Sequence, residues 1–86
     1  TQKSLEINEK AYKLRCEVLG EEDEQTLTSL NNVAFCHKEL GDFVTALSLY
    51  KKLYDTTVRV LGEGHNLTVK ASNKIAEIKK LLNEEG

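Results

Sequence analysis

The tripeptide Leu19-Gly20-Glu21 returns as Leu61-Gly62-Glu63, forty-two residues further along the chain. Sliding the sequence against itself by that interval also superimposes Leu5 on Leu47, Lys10 on Lys52, Tyr12 on Tyr54 and Val18 on Val60. Beyond the tripeptide the same shift aligns Thr26 with Thr68, Asn31 with Asn73, Ala34 with Ala76, Lys38 with Lys80 and Leu40 with Leu82. Aliphatic residues exchange at Ile7/Leu49, Leu27/Val69 and Val33/Ile75. A period of roughly 20–50 residues marks a stacked array, in which each unit buries its apolar face only against a neighbour. Arrays of this kind generally bind other molecules and seldom catalyse.

Within the period the apolar spacing is helical. Leu5, Ile7, Ala11, Tyr12, Leu14, Cys16 and Val18 predict a first helix over about 4–18, ended by Leu19-Gly20. Leu27, Leu30, Val33, Ala34, His37 and Leu40 recur at three and four residues and predict a second over about 24–40. Gly41-Asp42 leaves almost no chain before Phe43, Ala46, Leu47, Tyr50, Leu53, Tyr54, Val58 and Val60 set up a third over about 43–60, so helices two and three must form an antiparallel hairpin. Val69, Ala71, Ile75, Ala76, Ile78 and Leu82 define a fourth over about 66–82, with His65 or Asn66 as its cap and 83–86 expected to fray. The fold class is all-α, a single domain over 1–86. In it 1–20 supply the second helix of a preceding unit, 21–62 one full unit, and 63–86 the first helix of a following or terminal unit.

The charge pattern narrows the function. A formal net charge of -2, with no run of Lys or Arg longer than two, lacks the basic excess that nucleic acid requires. No apolar stretch approaches the ~20 residues of a membrane span, and Thr1-Gln2-Lys3 does not open a signal peptide, so a soluble, cytoplasmic chain is expected. Glu21-Glu22-Asp23-Glu24 could suggest a cation site, but acids at a helix start offset its dipole and Asp23 is placed as N-cap. Cys16 and Cys36 read as small buried core residues in a reducing compartment. His37, on the apolar stripe, and His65, in a turn, have no partner at metal-ligand spacing, so no metal and no cofactor are expected. No nucleophile–base pair or phosphate-binding loop is suggested, and the chain is not expected to be an enzyme. Asn66-Leu67-Thr68 matches a glycosylation sequon, taken as coincidental without a secretory signal.

Leu30-Asn31-Asn32-Val33-Ala34, followed by Gly41-Asp42-Phe43 and then Ala46, Leu47, Leu49, Tyr50 and Leu53, resembles a tetratricopeptide repeat. The resemblance is to the 42-residue variety of kinesin light chains, whose units read like L-G-x-x-H-P-x-T-x-x-x-x-N-N-L-A. It rests on Leu19, Gly20, Thr26, Asn31, Asn32, Val33 and Ala34, and in the second copy on Leu61, Gly62, His65, Thr68, Asn73, Ile75 and Ala76. Departures are informative. The His-Pro of that pattern is Asp23-Glu24 and then His65-Asn66, so ordinary capping replaces the proline. Leu53 stands where a small alanine is usual and is expected to widen or turn the helix crossing. Ser4 and Asn8 replace the equivalents of Ala46 and Tyr50, and Ser72, Lys79 and Asn83 replace those of Leu30, His37 and Gly41, giving the second copy a terminal character.

The resemblance implies a concave groove lined by the first helix of each hairpin. It places Thr28, Asn31, Phe35, Lys38 and Glu39 there from helix two, and Lys70, Asn73, Glu77, Lys80 and Leu81 from helix four. An amide offers two donors and an acceptor, so a ladder of Asn31 and Asn73 can pair with the backbone of an extended peptide whatever its side chains. Lys38 and Lys80 favour an acidic segment. The competing readings are asparagines bonded between neighbouring helices and lysines that offset helix dipoles. A grip on a C-terminal carboxylate is not supported, because Phe35 stands where one asparagine of that variant would be. The implied function is a protein-interaction scaffold, a segment of a larger repeat protein binding an extended peptide or partner protein. The alternative is a self-association module, in which helix one covers exposed Ile75, Ile78 and Leu82 of another copy.

Overall fold

The structure, a computed structural model, describes residues 2–85, with side chains for 3–83. Its elements are α1 (Gln2–Leu19), α2 (Glu24–Glu39), α3 (Phe43–Val60) and α4 (Asn66–Glu85), and the described residues form no strand. All four expected helices are present. The tail needs correction: 83–85 continue α4 instead of fraying, since no proline or glycine interrupts the chain between Leu82 and Glu85. Thr1 and Gly86, which the sequence reading placed in the first and last units, lie outside the described residues.

Polar side chains start three of the helices. The Asp23 carboxylate accepts the Gln25 N–H at 2.8 Å, and Asp42 accepts the Thr45 N–H at 3.3 Å. Before α4 the cap is His65, whose Nδ1 accepts the Leu67 N–H at 3.1 Å, while Asn66 is already helical. The α2–α3 turn is a Schellman closure: Asp42 N–H donates to His37 O at 2.9 Å and Gly41 N–H to Lys38 O at 3.0 Å. This closure holds Gly41 at φ 86°, a conformation that a Cβ disfavours. His37 is half-buried beside the same turn, its Nδ1 3.5 Å from the Asp42 carboxylate.

The recurrence of threonine at positions 26 and 68 now has a cause. Both are buried, and each hydroxyl donates to the backbone that precedes its helix: Thr26 to Arg15 O at 3.2 Å, Thr68 to Gly62 O at 2.8 Å. Each bond ties the first turn of one helix to the chain at or just past the end of the helix before it.

α1 packs on α2, α2 on α3 and α3 on α4, with α2 also meeting α4. The result is a slab 40 × 32 × 15 Å, whose thickness fits two helix layers with axes about 8–10 Å apart. The main core joins Leu27, Leu30 and Ala34 of α2 to Ala46, Tyr50 and Leu53 of α3 and Leu67, Ala71 and Ile78 of α4. Leu5, Val33 and Cys36 form a smaller cluster that seats α1. Leu53, the substitute for a small residue, is wholly buried within the main core.

Two expectations fail here. Cys36 is buried but Cys16 is half-exposed, on the α1 flank that α2 only partly covers; both are free thiols. Ile78 is not available to a second molecule, because it is fully buried in the main core, where Ile75 and Leu82 are also partly packed. The apolar residues of α4 that meet the core, Leu67, Ala71, Ile75, Ile78 and Leu82, point the helix inward and leave Val69 and Ser72 on its outer side.

The Tyr50 hydroxyl is buried without a hydrogen-bond partner, and burial pushes its pKa up to about 12. Removing that oxygen takes away a desolvated polar group and leaves the ring in place, so Tyr50→Phe is expected to raise stability by about 1 kcal/mol. Leu53→Ala, which empties the same layer, is expected to cost about 2–5 kcal/mol. Urea denaturation of both variants beside the wild type measures the two opposite shifts.

Candidate partner-binding site

Which side of the slab is concave follows from which layer closes. Among the described residues no Cα of α1 comes within 8 Å of one in α3, whereas α2 and α4 do approach that closely. The layer of α2 and α4 is therefore the inner one.

Three side-chain links run along that inner seam. At the helix starts His65 Nε2 lies 3.1 Å from Glu24 Oε1. Further along, Lys74 Nζ sits 5.7 Å from the centre of the Phe35 ring, and Lys38 Nζ lies 3.0 Å from Glu77 Oε1. The start of one helix meets the start of the other, and their later turns meet in the same order. α2 and α4 are thus parallel neighbours, as equivalent helices of a repeat must be.

The residues picked from the sequence divide between the seam and its flanks. Thr28 is exposed and its hydroxyl donates to Glu24 O of its own helix at 3.0 Å. Asn31 is half-buried, and Phe35 keeps 42% of its surface open despite the lysine above it. Lys38 is not a free cation, since Glu77 neutralises it; Glu39 is exposed and Leu81 half-buried. On α4, Lys70, Asn73, Glu77 and Lys80 are all exposed. Asn73 also borders a hollow of about 290 Å³ lined by Tyr54, Glu63, Thr68, Val69 and Ser72. Neither asparagine amide makes a hydrogen bond among the described residues, so inter-helix bonding does not occupy them.

Lys74 was missed by the sequence reading, although it joins the Phe35 ring to Glu77, whose carboxylate it meets at 3.5 Å. The spacing of three between Lys74 and Glu77 was the available signal. The acid run before α2 proves to be shared among neighbours. Glu21 lies 3.9 Å from Lys52, Glu22 pairs with Arg59, Asp23 caps α2, and Glu24 meets His65. No group of three metal-ligating side chains gathers among the described residues. Among the described residues the groove positions left without an ion pair are two lysines, Lys70 and Lys80, and one acid, Glu39, beside an open aromatic ring and two amides.

Helical hairpins whose equivalent helices lie parallel in one layer, around a repeated core, define a helical-repeat scaffold. A family model described as tetratricopeptide repeat matches residues 1–57, and the chain belongs to that family. Its repeats form a non-enzymatic scaffold, and domains built from them generally bind proteins or peptides. No curated protein and no solved structure matches the chain. No helix among the described residues is long and apolar enough to cross a membrane.

The hydrogen bond from Lys38, followed by the charge of Lys74, lowers the pKa of Glu77 below the usual carboxylate range. At the α2–α3 turn the Thr45 hydroxyl and N–H lower that of Asp42. A carboxyl whose folded pKa is depressed binds its proton more readily in the unfolded chain. The stability it contributes is present above the unfolded pKa and is lost as pH falls through the folded one. The melting midpoint is expected to fall between about pH 5 and about pH 3, and Lys38→Gln should flatten that fall by removing the main cause of the Glu77 shift. Thermal melts followed by circular dichroism across this range give the comparison.

Proposed function

We propose that this segment is part of an interaction scaffold whose α2/α4 face holds an extended, acidic stretch of a partner protein in the cytoplasm. The observation that carries the reading is the pair of asparagine amides, Asn31 and Asn73, recurring one period apart and left without intramolecular partners among the described residues. Repeated amides on parallel helices suit a ligand whose own backbone repeats, and an extended peptide is such a ligand. Lys70 and Lys80 supply the charge that favours acidic residues, and Glu77, bound to Lys38 and Lys74, marks where a competing acid could enter. Phe35 offers the apolar anchor, the kind of open aromatic surface that dominates binding energy. Thr28, exposed at the start of the seam, completes the candidate set. The 42-residue period supports placing the chain in the kinesin-light-chain-like variety of the family, with 21–62 as one full unit. Two inner helices make a narrow platform, so neighbouring repeats of the same chain contribute to affinity.

The test is a titration of a fluorescent acidic peptide of about ten residues against the wild type and Asn31→Ala/Asn73→Ala, followed by anisotropy. Loss of two amide contacts at about 1 kcal/mol each predicts a Kd at least tenfold weaker. Lys70→Glu/Lys80→Glu should weaken binding further and reduce its salt dependence. Unchanged affinity in the asparagine variant removes those residues as the grip.

A further inference from the structure

Positions 23 and 65 stand one period apart and cap α2 and α4 with the same bond made by different chemistry. The Asp23 carboxylate accepts the Gln25 N–H at 2.8 Å, and His65 Nδ1 accepts the Leu67 N–H at 3.1 Å. Among the described residues, Leu67 carries the one N–H in the first turn of α4 that a side chain meets. A carboxylate keeps its lone pairs throughout the neutral range. An imidazole changes charge between about pH 5 and pH 8, and the nitrogen that accepts a bond when neutral becomes a donor.

Both ring nitrogens of His65 are committed. Nε2 lies 3.1 Å from Glu24 Oε1, and an ionised carboxylate only accepts, so Nε2 carries the proton and Nδ1 is the bare nitrogen that Leu67 needs. The neutral ring therefore ties the start of α4 to the first residue of α2. Its side chain is 29% exposed, which leaves it open to protons from water. The other charges at this corner are placed apart from it. Glu22 pairs with Arg59 of α3, Asp23 caps α2, and Glu63 in the turn and Lys70 on α4 are exposed, which leaves Glu24 as the carboxylate paired with the ring. A second proton has to enter at Nδ1. Two N–H groups then face each other and the cap is lost, while the contact with Glu24 becomes an ion pair and holds the ring on α2. The rest of the turn does not titrate, because Thr68 still donates to Gly62 O at 2.8 Å and the Val69 N–H to His65 O at 3.0 Å. Loosening is thus confined to the first turn of α4.

We infer that His65 is a proton-operated catch between the two equivalent helices. Neutral, it clasps the start of α4 to the start of α2; protonated, it stays on Glu24 and releases α4. The first cap, with Asp23 in place of a histidine, has no such response in the same range. His37, whose Nδ1 lies 3.5 Å from Asp42, sits at the α2–α3 turn and joins neither helix start. The catch stands whether or not the α2/α4 face binds a peptide. Losing the cap and gaining the ion pair act on the whole fold in opposite directions, so the change is read locally at Leu67.

Nitrogen-15 NMR of the 86-residue chain from about pH 8 down to about pH 5.5 tests this. At the upper end His65 Nδ1 is expected to resonate as a bare nitrogen and Nε2 as a protonated one. As the ring takes up its proton, solvent exchange of the Leu67 N–H, corrected for its intrinsic pH dependence, should quicken about fivefold, the factor for one lost cap. Exchange at Gln25 should hold steady, and the Overhauser contact between the His65 ring and the Glu24 side chain should persist at the lower end. His65→Asp, which gives α4 the carboxylate cap of α2, should keep the Leu67 rate constant over the whole range. A bare Nε2 at the upper end, a Leu67 rate that does not follow the ring, the same response in His65→Asp, or loss of the contact with Glu24 on acidification would each overturn the inference.

Discussion

One strip of α3 holds the architecture in place. Ala46, Tyr50, Leu53 and Thr57 lie along a single face of that helix, and none exposes surface to solvent. α2 packs against α3 from one side and α4 from the other. The parallel course of α2 and α4 depends on both resting on this common support, and so does the inner seam between them. Ala34 and Ala71, fully buried on the two inner helices, keep the crossings close enough for side chains to reach across. Without that approach Lys38 could not meet Glu77, nor Lys74 the Phe35 ring.

Electrostatics then sorts the surface into satisfied and unsatisfied regions. The four acids that lead into α2, the last of them its first residue, are consumed locally, one as a cap and three by Lys52, Arg59 and His65. Their exposure keeps each pair weak, and together they fix how the connecting segment lies over α3 and α4. The lysines of α4 find fewer acids. Glu77 serves two cations, Lys38 and Lys74, and the remaining groove charges are Lys70 and Lys80 against the single acid Glu39.

The period of 42 made the helices, the hairpin and the parallel relation of α2 and α4 readable from residues alone, because it overlays Leu-Gly stops, buried threonines and apolar stripes at once. Capping by Asp23 and His65 was readable for the same local reason. What escaped was whatever depended on contacts remote in sequence. Lys38 looked like a free groove cation because its partner is 39 residues away. α4 carries apolar residues on more than one line, and the pattern could not tell which of them turns inward, so Ile78 looked exposed when it is core. Cys16 looked buried because its helix flank is apolar, but α2 covers only part of it. The tail looked loose because it ends in polar residues, although Asn and Glu are no obstacle to a helix that is already nucleated.

The gap between the backbones of α1 and α3 has a mechanical meaning. A stack that closes on its inner layer and stands apart on its outer one bends most easily about the closed side, like a book about its spine. Changes in curvature then alter the outer gap, while the spacing of α2 and α4 stays fixed by the strip they share. Compliance of that kind lets a repeat array adjust its overall arc to a long ligand without disturbing the local grip.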